Sequence, residues 1–293
     1  MQSFSMEQYI DLHIHSCYSD GVHRPADLVA MAAGRGMKAI AIADHDSVEG
    51  IDEAVAAGLR SGVEVVPAVE FSVAYKHYRD IHLLGYFIEY KDCELERKLA
   101  EFRRRRDERA RAIIDRINAR LARENKSAIT YEDICCIARN CISRLHIAET
   151  LVRNGAAANV QDAFKMYLIP YDVPKQYFPL EEALDEIRRL NGVSVLAHPP
   201  SISNDRNLMR SLILGWKKSG LDGIEVFNNL CFKDDMIFYE SLAREQGMLM
   251  TGGSDFHGFE DDVEIGIGRG GLSVAYHLLH IMKDAAGKKG AVA

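Results

Sequence analysis

An α/β fold, laid out as a parallel barrel or a doubly wound sheet, is what this sequence predicts, and three observations carry the prediction. One phrase recurs along the chain: a helical stretch, a glycine, a short β-rich apolar run, then a polar residue able to do chemistry. At 293 residues and 47% hydrophobic content the chain can bury a full core, near the upper limit for a single one. Its chemistry-bearing side chains fall at or near the ends of the apolar runs, where the catalytic groups of (β/α) barrels gather.

In chain order, "YIDLHI" reads as the first strand, and His13 and His15, two apart, project from one face of it. "AAGRGMKAIAIADHD" and "AAGLRSGVEVVPAVE" each pass from helix through glycine to strand. Glycine accepts the left-handed conformation that ends a helix, and runs such as "IAIA" and "VEVV" suit strands buried by flanking helices. "DIHLLGYFI" supplies a further strand, and then the rhythm stops between Lys91 and Leu190. Leu95, Leu99, Phe102, Ile113, Ile117 and Leu121 keep the spacing of one long amphipathic helix. More helix follows in "YEDICCIARNCISRLHIAETLVRNG" and "NVQDAFKMYL", then a Pro- and Tyr-containing segment from Pro170 to Pro179. The rhythm resumes in "IRRLNGVSVLAHP", "WKKSGLDGIEVFN" and "AREQGMLMTGGSDFH", for about seven strands in all, with a helical insertion between the fourth and fifth. Trp216 reads as helix packing, and only "GKKGAVA" looks like a tail.

A formal charge of −7 argues against coating duplex DNA or an anionic membrane by bulk electrostatics. The opening "MQSFSMEQYIDLH" lacks the pattern of a signal peptide, and no apolar run approaches the ~18 residues of a membrane span, so a soluble, cytoplasmic protein is expected. Cys17, Cys93, Cys135, Cys136, Cys141 and Cys231 form no C-x-x-C pair and read as reduced thiols. Cys17 lies near the histidine motif, but imidazoles and carboxylates already abound there.

Two pairs bracket the chain, His13 with His15 and Asp255 with His257, and between them lie His45, Glu70, His82 and His198. Mixed imidazole and carboxylate ligands suit Zn, Mn or Fe better than Ca or Mg, and several ions are needed to use them all. A single histidine is more often a hydrogen-bonded structural residue, but six of the eleven stand at predicted strand ends, which points to a metal centre.

"DLHIHSCYSDG", "ADHD", "VE", "IHLLGY", "AHP" and "GGSDFHG", in that order, resemble the PHP family, named for polymerase and histidinol phosphatase. "ISRLHIAETLVRNG" is similar to the SR-x-H-x-A signature of its nucleotide-phosphoesterase branch, which includes 3′,5′-nucleotide bisphosphate phosphatases and the exoribonuclease trimming 5′ ends of ribosomal RNA. The resemblance implies a distorted (β/α)7 barrel over 1–92 and 190–293, with a helical, substrate-capping insertion over 93–189. It also implies two to three divalent ions (Mn, Zn or Fe): one on His13, His15, Glu70 and Asp255, one on Glu70, His82 and His198, and a third on Asp20, His45 and His257. Histidinol phosphatases carry a histidine where this chain has Asp20, so the third site is expected to be harder or weaker.

The expected reaction is in-line attack of a metal-bound hydroxide on phosphorus, without a covalent intermediate, on a nucleotide phosphate or short RNA 5′ end. On the resemblance, Arg144 and His146 grip the phosphate, and His146 or His198 protonates the leaving oxygen; on composition alone they are a surface charge and a helix-packing residue. "RRRR" at 103–106 reads as a solvated helix face with i to i+4 pairs rather than a nucleic-acid patch. Asp44 and Asp46 either orient His45 or cap the following helix, Asn228 and Asn229 sit where a substrate contact is possible, and His23, His77, His277 and His280 read as structural or surface residues. The rival readings are a histidinol-phosphate-type phosphatase, disfavoured by the insertion signature, and a non-catalytic metal module, disfavoured by the complete ligand set.

Overall fold

The structure, a computed structural model, describes residues 8–136, 142–259 and 261–290; Cys141 and the end of the tail lie outside them. The strands are β1 (Ile10–Ile14), β2 (Ala39–Ile42), β3 (Glu64–Val65), β4 (Ala68–Tyr75), β5 (Tyr78–Tyr86), β6 (Phe178–Pro179), β7 (Val193–Leu196), β8 (Gly223–Phe227) and β9 (Leu249–Gly252). The helices are α1 (Pro25–Gly34), α2 (Ile51–Ser61), α3 (Cys93–Arg123), α4 (Tyr131–Cys135), α5 (Arg144–Arg153), α6 (Val160–Ala163), α7 (Leu180–Arg189), α8 (Arg206–Lys218), α9 (Lys233–Gln246) and α10 (His277–Gly290). No helix among the described residues is long and apolar enough to cross a membrane.

Glycine punctuation works largely as expected. Gly36, Gly62, Gly220 and Gly247 all take positive φ after helices, while in "LNG" the left-handed residue is Asn191 instead. Pro67 stands between β3 and β4, so "VEVVPAVE" is two strands, as a residue without an N–H dictates.

β1, β2 and β3 form one parallel sheet; the other runs β6-β4-β5-β7-β8-β9. The parallel rhythm breaks once: β5 pairs antiparallel with both β4 and β7. Only Lys76 and His77 separate β4 from β5, too few residues for a parallel crossover and enough for a hairpin. Reversal brings the start of β5 to the rim where the other strands end, and seats His82 opposite Ser72, two residues past Glu70. The two sheets meet through single bridges, His45 to Glu70 and Ile14 to Phe256.

Both faces of the wall are buried. Ala39, Ala41, Ala43, Leu84, Tyr86, Val193 and Val195 join one cluster with Leu279 and Met282 of α10. The alternate residues, among them Leu83, Leu196, Ile224 and Val226, join another with α7, α8 and α9, which includes Trp216 as expected. α3 is capped by Asp92, whose side chain accepts from Leu95 N, and runs 31 residues as the spacing predicts. Its Leu95 and Leu99 pack in the second cluster, whereas Ile113, Ile117 and Leu121 belong to a separate core with Ile147 and Leu151 of α5 and Tyr167. One helix thus ties the insertion to the barrel.

Candidate metal centre

All the side chains that the sequence nominates as ligands converge at the seam between the sheets. His13 and His15 leave the end of β1 with their Nε2 atoms 3.2 Å apart. Glu70 of β4 lies between them: Oε1 is 3.3 Å from His13 Nε2 and Oε2 is 3.3 Å from His15 Nε2. Asp255, past β9, brings Oδ1 to 3.1 Å from His15 Nε2 and 3.5 Å from His13 Nε2. On the other side of Glu70, His82 Nδ1 and His198 Nε2 each lie 3.1 Å from Oε1 and 3.2 Å from one another. His45 places Nδ1 at 2.8 Å from Glu70 Oε2, and Nε2 at 3.7 Å from Asp20 Oδ2. His257 Nε2 lies 3.4 Å from Asp20 Oδ1.

Three groups of donors lie close enough to hold an ion: His13, His15 and Glu70; His45, Glu70 and His82; and His15, Asp20, His45 and His257. His45 therefore stands between the second and third groups, and His15 between the first and third.

The donors fit a metal. Asp20 Oδ1, His45 Nδ1, Glu70 Oε2 and His82 Nε2 are buried without a hydrogen-bond partner, although His45 Nδ1 and Glu70 Oε2 are neighbours. Buried polar atoms are ordinarily hydrogen-bonded, so lone pairs that face one another unbonded call for a cation. Burial pushes the Glu70 carboxyl up, but His45, His82 and His13 outweigh it and hold the group well below its usual range. Burial is likewise overcome at Asp20 by His45 and His257, and at Asp255 by His13 and His257, so both stay ionised. Burial lowers His15 and His82 to about 4, which leaves neutral imidazoles at neutral pH. At His257 burial is outweighed by Asp20 and Asp255, and the ring rises to about 10.

The shell around these groups was only partly legible. Glu225, in the middle of β8 and fully buried, was missed. Its Oε1 lies 2.8 Å from His13 Nδ1, and its Oε2 accepts the His198 N–H at 2.7 Å. Its signal in the sequence is a lone carboxylate in the apolar run "GIEVF". Asp11 is also buried, and it accepts the N–H groups of His13, Ser254 and Gly266. Asp44 and Asp46 do neither job expected of them: Asp44 accepts from Ser16 and Ser19, Asp46 accepts from Ser72 N and pairs with Arg106, and α2 starts at Gly50 without a side-chain cap. Asn228 is spent on its own loop, bonding Glu225 O and Cys231 N, and Asn229 ties that loop to two others through Ser254 O and Arg269 N. Cys17 is buried and belongs to none of the donor groups.

Beside Asp20 and His45 opens a cavity of about 590 Å³, whose far wall comes from α3, the start of α5 and the segment Asp172–Tyr177. Arg144 lines it, as do Arg105, Arg106, Arg109 and Lys175. The "RRRR" run therefore has two faces. Arg104 pairs with Glu101 and Glu108 on the outside, as expected, while Arg106 reaches Asp46 at 2.7 Å inside the rim. His146 is not among the described lining residues; its Nδ1 accepts Ser143 N at 3.1 Å in the capping box that opens α5.

A family model described as PHP domain matches residues 11–140. The chain is 34% identical over 252 residues to the 3′,5′-nucleoside bisphosphate phosphatase of Chromobacterium violaceum, covering 85% of this chain and 87% of that one. This chain belongs to the PHP family. The PHP chain is also 31% identical over 257 residues to the 5′-3′ exoribonuclease of Haemophilus influenzae, covering 86% of its own length and 91% of the relative's. Its structure matches that of a Bifidobacterium adolescentis chain, inferred to be a metal-dependent phosphoesterase, with TM-score 0.80, 26% identity, and 94% and 95% of the two chains covered. The PHP chain is a metal-dependent phosphoesterase.

Proposed function

We propose that this enzyme hydrolyses phosphate esters of nucleotides, 3′,5′-bisphosphates foremost, and accepts the 5′ end of short RNA in the same cavity. The single observation that carries the reading is the pairing of two walls: unbonded metal-type donors at Asp20 and His45 on one side, and Arg105, Arg106, Arg109 and Arg144 on the other. The likeness to a 3′,5′-nucleoside bisphosphate phosphatase and to a 5′-3′ exoribonuclease supports this substrate class.

In this reading His13, His15, Glu70 and Asp255 hold one divalent ion, Glu70, His82 and His198 a second, and Asp20, His45 and His257 a third, with Mn, Zn or Fe suited to the donors. Bound ions of this kind neutralise the oxygens of a phosphoryl group and lower the pKa of a water molecule. Arg144 takes the phosphate oxygens through its planar guanidinium, and the insertion over 93–189 covers the barrel of 1–92 and 190–293 so that the ester lies out of bulk water. His198, within reach of Glu70 Oε1, or His146 gives the proton to the leaving oxygen. The free thiols among the described cysteines fit a cytoplasmic enzyme.

The test is phosphate release by protein reconstituted with Mn(II), on adenosine 3′,5′-bisphosphate, a 5′-phosphorylated oligoribonucleotide and histidinol phosphate, with Asp255→Ala as control. Turnover of either nucleotide, lost in the variant, is the expected result. Activity on histidinol phosphate alone overturns it.

A further inference from the structure

Glu225 is not among the residues lining the cavity beside Asp20 and takes no part in the proposed hydrolysis, yet it is a fully buried carboxylate with both oxygens committed. It sits on β8, which pairs with β7 and β9, so its two partners come from opposite directions: a ring nitrogen at the end of β1 and a backbone amide just past β7. A carboxylate only accepts, so His13 Nδ1 must carry a proton toward it, which leaves Nε2 as the one ring nitrogen able to present a lone pair. That Nε2 is the atom facing Glu70 and Asp255. The other oxygen accepts from a residue in the left-handed region, His198 at φ 26°, ψ 63°, a conformation that a side chain with a Cβ holds only under constraint. His198 Nε2 in turn lies 3.1 Å from Glu70 Oε1.

We propose that Glu225 is a positioning residue for the metal centre, which fixes the proton of His13 on Nδ1 with one oxygen and the backbone turn of His198 with the other. It thereby sets a ligand of the first ion and a ligand of the second from one side chain, an outer partner of the kind that metal-bound imidazoles use to hold ring and tautomer. The inference rests on the reading of His13 and His198 as ligands.

The experiment is a calorimetric Mn(II) titration of metal-free wild-type and Glu225→Gln protein, with 15N spectra of the histidine rings recorded on the same samples. Glutamine keeps the shape but offers one acceptor and turns an NH2 toward an N–H. The expected result is a 10- to 100-fold weaker tightest site and loss of the single Nδ1–H signature of His13. Glu225→Asp keeps the charge but draws the carboxylate back by one methylene; it is expected to lose less affinity, and it decides the question where the glutamine variant does not fold. Unchanged affinity and an intact His13 signature, even with a lowered Tm, overturn the role and mark Glu225 as packing alone. A wild-type protein that takes up no Mn(II) overturns the ligand reading itself, which separates the two failures.

Discussion

Gly253 has room for a hydrogen and nothing larger. A Cβ there would press on the backbone N and Cβ of His13 and come within 2.7 Å of its Cα, because the turn leading to Asp255 crosses directly over β1. Gly21 is held in the same way by the carbonyl of His15, so these two glycines mark places where backbone meets backbone beside the histidine pair. Gly253→Ala is therefore expected to cost about 1–3 kcal/mol in urea unfolding, and to weaken Mn(II) uptake, since the shift moves His13 against Asp255. An alanine variant with wild-type stability and metal affinity would remove the packing argument. Gly253 was legible as a motif letter, while its reason, a contact with His13 at the other end of the chain, was not. The cysteines give a second prediction at this scale. Burial pushes the Cys231 thiol up to about 12, whereas Cys93, Cys135 and Cys136 are exposed. Little Cys231 is thiolate near neutral pH, so alkylation by iodoacetamide, mapped by mass spectrometry, is expected at the exposed thiols first and at Cys231 only on unfolding or at strongly alkaline pH.

α3 is the element that brings the insertion to the donor cluster, and its attachment rests on chemistry as well as apolar packing. Leu95 and Leu99 fasten its first turns to the barrel core. Farther along, Arg106 reaches Asp46, whose other oxygen accepts Ser72 N and whose backbone, at φ 49°, is already constrained. The pair is mostly buried, at 18% and 3% side-chain exposure, so it is not a solvent-screened surface bridge. A double-mutant cycle with Arg106→Ala and Asp46→Asn is expected to give a coupling of roughly 1.5–3 kcal/mol in unfolding free energy. Arg104→Ala, on the outer face beside Glu101 and Glu108, is expected to change stability by less than about 0.5 kcal/mol. Equal effects at both positions would sink the distinction between the two faces. The helix itself was readable because a 3.6-residue period is local. Which arginines turn inward was not, because that depends on where the rim of another element stands.

At the scale of the molecule, the strands and the convergence of the donor side chains were legible because βα units announce themselves through glycine stops, and because chemistry in such folds collects at strand ends. The reversal of β5, the two duties of Glu225 and the tie from Asp44 to Ser16 and Ser19 were hidden, since each depends on which strands become neighbours. That neighbour relation has an energetic consequence. The parallel three-stranded sheet and the six-stranded sheet are joined by single bridges, His45 to Glu70 and Ile14 to Phe256, and the ligands lie on this seam. Without ions, the carboxylates of Asp20, Glu70 and Asp255 converge at the junction with only histidines to offset their charge, and Asp20 Oδ1 and Glu70 Oε2 have no hydrogen-bond partner. Divalent ions bound there neutralise that charge and bind the folded chain alone, so they stabilise it by mass action, by about 2.7 kcal/mol per site at one hundred times the dissociation constant. For a chain of this size one such site corresponds to roughly 4 °C in Tm. Calorimetric melting of EDTA-stripped protein is therefore expected to show a lower Tm, recovered by added Mn(II), and in Asp255→Ala the share of that recovery that belongs to the first ion is expected to vanish. A Tm indifferent to chelator in the wild type would mean that the seam is held by the bridges and the apolar clusters without help from ions.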